Sequence, residues 1–382
     1  MTASSLTVRP IGAAEHLAFL DRQGSASFLQ TPAWGRVKSE WESETLGWYD
    51  GDRLVGVGLA LHRRVPRLRR SLAYLPEGPV IDWAEAAAGD LLTWLDPLVA
   101  HLKARGAFGV RIGPPVVVNR WTAAAVKQGI ADDGCRRLTE LTPSESSATG
   151  AGVVARLREL GWRRVAGAEG FAAGQPAFNF LLPLKGRSED DVLRGMNQQW
   201  RRNIRKADKA GVEVERGTEA DLDAFHELYA HTAVRDGFTP RPLSYFRTML
   251  TALGAEDPAG AIDIRLYLAR HEGDLVAATI GIRVGGHVWY SYGASSTDKR
   301  EVRGSNAVQW RMIRDAIAEG ADVYDLRGIT DTLDADDPHL GLVQFKVGTG
   351  GEAVEYAGEW DLPLSRPLYK AFDLYMKRRA GR

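Results

Sequence analysis

The sequence predicts an α/β (α+β) chain made of two like-folded halves, and three observations lead there. Its 382 residues exceed what one ordinary hydrophobic core serves. Paired strand patterns joined at Gly-Asp turns lead into an amphipathic helix that ends in glycine, and a further strand follows. That β-β-β-α-β order occurs twice, which implies two similar domains.

In the first half, YDGDRLVGVGLAL (49–61) carries apolar residues on both sides of Gly-Asp, the signature of a turn between strands. SLAYLPEGPVID (71–82) supplies the next strand. LLTWLDPLVAHLKARG (91–106) is the helix, with Gly106 fitting its C′ position, and FGVRIG (108–113) is a buried strand. The second half repeats this with ARHEGDLVAATIGIRV (269–284), HVWYSYGAS (287–295), NAVQWRMIRDAIAEG (306–320) and DVYDLRG (322–328). LTPSESSATGAG (141–152) reads as a loop, LRELGWRRV (157–165) as the helix and strand closing the first domain, and FNFLLPL (178–184) as the opening of the second. The tail PLYKAFDLYMKRRAGR (367–382) spaces Leu368, Phe372 and Tyr375 helically and is expected to fold back on the first domain. The expected domains are therefore 1–176 plus 363–382, and 177–362. The element order is that of the GNAT acyltransferase fold, tandemly repeated.

Composition excludes several classes. Lys+Arg and Asp+Glu balance at 49 each, which argues against a protein that coats nucleic acid but leaves local patches open. No apolar run reaches the roughly 20 residues of a membrane helix, and the N-terminus lacks a signal-peptide pattern, so a cytoplasmic location is expected. Cys135 is the only cysteine, which excludes an internal disulfide and a multi-cysteine metal site. There is no P-loop, no GxSxG, no HExxH and no strand-linked GxGxxG.

Three stretches concentrate chemistry. In NQQWRRNIRKADKAG (197–211), Trp200, Ile204 and Ala207 share one helical face. Arg202, Lys206 and Lys209 form a second stripe, with Arg201 and Arg205 beside it. Such a run is commonly a solvated face. Here only Asp208 interrupts the cations, and arginine forks suit phosphate oxygens. A second cluster, HRRVPRLRR (62–70), reads as a solvated hairpin tip or as a contact with RNA or an anionic membrane surface. In GFTPRPLSYF (237–246), prolines flank Arg241 and hold it at a helix N-terminus, where backbone N–H groups already favour an anion; Thr239 adds a hydroxyl. The competing reading is a plain loop-to-helix junction. GLVQFKVGTGGEAVEY (341–356) is expected to put Lys346 on a strand, pointing opposite to Phe345 and Val347. QTPAWGRVKSEW (30–41) places Trp34 and Lys38 on one helical face, with Trp34 and Trp41 expected in the core.

The pyrophosphate loop of coenzyme A-dependent GNAT enzymes is poorly matched. KREVRGSNA (299–307) has Glu301 where that pattern wants a cation, and DWAEAAAGD has no cation at all. A different acyl donor is implied. Taken in order, FLQTPAWGRVK, YLPEGPVID, NQQWRRNIRKADKAGVEV, RDGFTPRPLSYF, YDLRGI and GLVQFKVGTGGEAVEYAGEWDLPLS resemble the Fem family (FemABX), the aminoacyl-tRNA-dependent transferases that build peptidoglycan bridges. The coiled-coil arm of some members is missing after residue 211, as in the shorter FemX type.

The resemblance implies an aminoacyl-tRNA donor, an acceptor that is lipid II or UDP-MurNAc-pentapeptide, glycine or alanine as the transferred residue, a monomer, and no cofactor or metal. A peripheral contact with the inner membrane face is compatible with it. Carried over by position, Lys38 and Arg241 would hold the acceptor diphosphate, with Thr239 and Tyr245 beside it. Tyr290 or Tyr292 would complete the acceptor pocket, and Lys346 would line the channel where the substrates meet. Asp82 would stand near the acceptor peptide and take or relay the amine's proton. Arg201, Arg202, Arg205, Lys206 and Lys209 are expected to take tRNA backbone. Glu77 departs from the basic or aromatic residue usual before Gly-Pro. Rival readings are an acyl-CoA N-acyltransferase, a tRNA-dependent enzyme acting on a peptide natural product, and a non-enzymatic binder of anionic lipid.

Overall fold

The computed structural model describes residues 6–65, 68–165, 174–256 and 260–380, with the backbone alone at 375, 377, 379 and 380. Pro66 and Arg67 of the second basic cluster, and the side chain of Tyr375, lie outside the described residues. Contacts divide the chain into two compact units: Met1–Asn119 with Glu145–Ala177 and Glu355–Arg382, and Arg120–Ser144 with Phe178–Val354. This grouping departs from the expected ranges at two places. Ala123, Val126 and Leu138 bury themselves in one core with Phe180, Tyr324 and Val343. Ala357 and Trp360 bury with Trp48, Leu98 and Val110. Apolar side chains, rather than sequence order, thus decide where 120–144 and 355–362 belong.

The first unit has a seven-stranded sheet in the order Thr7–Pro10, Glu42–Asp50, Arg53–Arg64, Ser71–Leu75, Ala107–Ile112, Trp360–Pro363, Arg163–Arg164. The second contains the run Glu213–Gly217, Ile262–His271, Asp274–Val284, His287–Ser295, Val323–Ile329, Phe178–Pro183, part of a longer sheet. Both repeat the same device. Two hairpin-linked antiparallel strands lead to a third, and the strand after the helix pairs with that third strand in parallel: Ser71–Leu75 with Ala107–Ile112, and His287–Ser295 with Val323–Ile329. A parallel pair needs a long crossover, which the helices Leu91–Ala104 and Gly304–Ala318 provide. Each of those helices is ended by a glycine at positive φ, Gly106 at 90° and Gly320 at 72°, a conformation that side chains resist.

Three local expectations are corrected. The strand at 71–82 stops at Leu75, because Pro76 cannot donate to the ladder and Glu77 adopts φ 48°. The segment 141–152 is not all loop. Ser147 accepts from the Gly150 N–H and starts the helix Ala148–Glu159, and Gly150 lies so close to Val117 that a Cβ would stand 2.3 Å from its carbonyl oxygen. Lys346 lies on the helix Leu340–Val347, not on a strand. The C-terminal helix Arg366–Ala380 lies against the first unit's sheet, with Phe372 5.3 Å from Phe108 and Tyr369 bonded to Asp361.

Candidate active site

Lys346 is the unusual group. In LGLVQFKV (340–347) the positions Leu340, Val343, Lys346 and Val347 are buried while Gly341, Leu342 and Gln344 are exposed, a helical periodicity that draws the lysine inward with its apolar neighbours. Its side chain is 3% exposed. Nζ donates to the Gly328 carbonyl at 2.6 Å and to the Arg327 carbonyl at 3.3 Å. Burial drives its pKa down to about 7; the Arg327 charge pushes the same way and the Asp325 carboxylate opposes.

The two carbonyls are turned toward the amine by an irregularity in the strand Val323–Ile329. Its pairing with Phe178–Pro183 slips between Asp325 and Gly328, so Leu326 and Arg327 together stand opposite the single residue Phe180. Arg327 takes φ 64°, a left-handed conformation costly for arginine. Asp325 holds it there, its Oδ1 accepting the Arg327 N–H at 2.5 Å. Asp325 is itself buried, with His287 Nε2 3.4 Å from Oδ2 and the imidazole stacked 3.9 Å from Trp289. Burial alone would raise the carboxyl's pKa, but His287, Arg327 and the backbone N–H hold it below the ordinary value. Sequence reading passed over Asp325 and His287. An acid inside the apolar run VYDLRGI was the available signal, since such a group needs local partners.

The basic helix, Gln198–Lys209, is fastened to the lysine's helix. Asn197 caps its N-terminus, accepting from the Trp200 N–H, and Gly211 ends it at φ 77°. Trp200 is buried, packs tilted against Phe345 with ring centroids 4.8 Å apart, and donates Nε1–H to the Phe345 carbonyl at 2.7 Å. A Cβ on Gly348 would stand 2.2 Å from the indole, so only glycine allows this seat. The cations do not all play one part. Arg201 donates to the carbonyls of Arg194 and Met196 at 2.9 and 2.7 Å and so belongs to the scaffold. Arg202, Arg205, Lys206 and Lys209 are exposed and, with Arg201 and Gln198, line a hollow of about 580 Å³.

Elsewhere in the second unit, Arg241 is exposed and immediately precedes Pro242, the N-cap of the helix Leu243–Gly254. Its carbonyl bonds His226 Nε2 at 3.0 Å, and its guanidinium stands 5.5 Å from the Tyr245 ring. The Tyr245 and Tyr292 hydroxyls meet at 3.0 Å. Tyr290 and Tyr292 flank a bulge, since Ile280 faces Tyr292 and Gly281 faces Tyr290, with Ser291 between. Burial and the Asp236 charge push the Tyr290 hydroxyl up to about 12. Thr239 is exposed on the loop before the helix. The structure therefore gathers Arg241, Tyr245 and Tyr292 into one cluster.

Lys38 and Asp82 belong to the first unit. Lys38 caps the helix Pro32–Val37, lies 5.5 Å from the Trp34 ring, and has Glu40 at 4.0 Å. Asp82 is the exposed N-cap of the helix Trp83–Ala88, its Oδ1 accepting from the Glu85 N–H at 2.8 Å. That capping role alone accounts for an aspartate there. Among the described residues, no group of three or more His, Cys, Asp or Glu is arranged to hold a metal, and no helix is long and apolar enough to cross a membrane.

The fold and its matches define a tandem GNAT-type acyltransferase. A GNAT acetyltransferase domain model matches residues 194–339. The FemAB family model matches residues 11–258, well over half of the chain, and the protein belongs to that family. It is 25% identical to a lipid II:glycine glycyltransferase of Staphylococcus haemolyticus over 94% of this chain and 93% of the relative. The same identity and coverage hold for the enzyme of that name in Staphylococcus aureus strain MRSA252. The crystal structure of FemX superposes with a TM-score of 0.78 at 24% identity, covering 95% of this chain and 99% of the other. A tandem GNAT protein from the clavulanic acid pathway aligns at a TM-score of 0.51 and 13% identity over 94% and 98%.

Proposed function

We propose that this protein transfers an aminoacyl group, glycyl or alanyl, from aminoacyl-tRNA to an amine of the stem peptide of a peptidoglycan precursor. The similarity to glycyltransferases named for lipid II supports the acceptor class. The observation that carries the chemistry is the buried Lys346, held on two backbone carbonyls beside the seat of a basic helix.

An aminoacyl ester is already activated, so the enzyme has mainly to position an amine against its carbonyl carbon. As the amine attacks, negative charge builds on the carbonyl oxygen. An ammonium has three N–H donors. Two of those on Lys346 go to Arg327 and Gly328, which fixes the direction of the third. A donor set in advance at the developing oxyanion stabilises the transition state more than the ground state. Collapse then expels the ribose oxygen of the tRNA, which takes up the proton released by the attacking amine. Asp82 accepts or relays that proton, or orients the amine. Arg202, Arg205, Lys206 and Lys209 take tRNA phosphates, and Trp200 transmits their position to the lysine's helix. Arg241 binds a phosphate of the acceptor, and its carbonyl anchor on His226 supports that role. The same chemistry is proposed for Lys38, whose ammonium lies over the Trp34 ring.

The test is to incubate the protein with mixed charged tRNAs and UDP-MurNAc-pentapeptide or lipid II, and to read the mass increment of the acceptor. A gain of one amino acid, abolished by ribonuclease, is expected. Transfer from an acyl-CoA that ignores ribonuclease would replace this reading with the N-acyltransferase one.

A further inference from the structure

We propose that an arginine-lined hollow at one end of the first unit's sheet docks the protein on an anionic bilayer, taking lipid headgroup phosphates while Leu68 enters the interface. The hairpin of Arg53–Arg64 and Ser71–Leu75 closes at the pair Arg64 and Ser71, with the Val65 N–H donating to the Arg70 carbonyl at 2.9 Å. Beside this closure lies a hollow of about 310 Å³, lined by Arg64, Arg69, Arg70 and Arg105 with a single carboxylate, Glu42. Glu42 bonds both Arg64 and Arg105, at 2.9 Å from Arg64 Nε and 3.3 Å from Arg105 Nη2, and so holds two guanidinium groups in place. Glu42 and Glu44, the latter 3.8 Å from Arg105 Nε, set two carboxylates against four arginines, and the excess remains in a chain whose formal net charge is zero. The floor is also fixed. His62, 4% exposed, meets Glu44 at 2.8 Å and Ser71 Oγ at 3.3 Å.

Two features select a bilayer over other polyanions. Leu68 is 47% exposed and adjoins Arg69 and Arg70, and an apolar residue among cations is the pattern of an interfacial contact. The lining holds no Phe, Tyr or Trp, and its one imidazole, His62, is buried and bonded to Glu44, so RNA is less well served. The guanidinium forks match phosphate oxygens, and the negative surface potential of an anionic leaflet supplies the long-range attraction.

The experiment is co-sedimentation of the full chain with phosphatidylcholine vesicles, with or without about one third phosphatidylglycerol, at ~0.1 M salt. The native protein is expected to pellet with the anionic vesicles and to stay in solution with the neutral ones. Near a membrane each basic residue is worth about fivefold in binding. The double variant Arg69→Glu and Arg70→Glu should therefore bind at least about 25-fold more weakly. Leu68→Ser should weaken vesicle binding while leaving its salt dependence unchanged. All three positions are exposed, so circular dichroism should match the native chain. Equal binding to neutral vesicles, or anionic binding untouched by these variants, would overturn the proposal. So would inorganic phosphate that binds the native protein yet leaves vesicle binding insensitive to Leu68. Variants that lose tRNA binding instead of vesicle binding would reassign the hollow to RNA and equally overturn it.

Discussion

Replacing Lys346 by methionine tests the buried amine directly, without any substrate. The folded chain protonates this amine near pH 7, whereas an unfolded one does so near 10.4. Between those values the unfolded state binds more protons, so native stability rises with pH there. The penalty of the buried amine is thus fully present below about pH 7 and gone above about 10.4. At about 1.4 kcal/mol per pH unit, integration gives a penalty of roughly 4 kcal/mol at pH 7 and roughly 1 at pH 9.5. Methionine has no such term, but it strands the carbonyls of Arg327 and Gly328, at about 1–3 kcal/mol each. Every other titrating group is common to both proteins, so their difference isolates Lys346. Urea unfolding of both at pH 7.0 and 9.5 should show the native protein gaining on the variant by about 3 kcal/mol. A difference that does not move with pH would refute the burial argument and the neutral amine it implies.

Four further outcomes follow from the same geometry. Asp325→Asn removes the charge that raises the Lys346 pKa, so the lysine's NMR titration should move to lower pH; an unmoved midpoint would detach Asp325 from the site. If the protonated Lys346 stabilises the oxyanion, the transfer rate of Lys346→Arg relative to native should climb above pH 7, because arginine keeps its charge; a constant ratio would count against that role. Arg202→Glu with Arg205→Glu should weaken aminoacyl-tRNA binding and flatten its salt dependence, with Arg201 left in place because it ties down two carbonyls. Gly348→Ala should displace Trp200 and destabilise the protein by about 1–3 kcal/mol, as overpacking does, which a thermal melt reads.

Local patterning by itself determined the repeated architecture and most of its punctuation. Two-residue turns at Gly51-Asp52 and Glu272-Gly273, helix-ending glycines at 106, 211 and 320, and the apolar stripe of Trp200, Ile204 and Ala207 all act within a few residues. Tertiary packing decided the rest. FKV satisfies both a two-residue and a 3.6-residue period, and only the core that receives Leu340, Val343 and Val347 makes it helical and carries Lys346 inside with them. Whether an arginine is a ligand or a strut was equally invisible: Arg201 and Arg202 are neighbours, yet one is tied to carbonyls seven and five residues back and the other faces solvent. The environment of Lys346 depends on Asp325 and His287, 21 and 59 residues earlier in the chain. A hydrophobic period is a property of neighbours in sequence, whereas desolvation and charge are properties of neighbours in space.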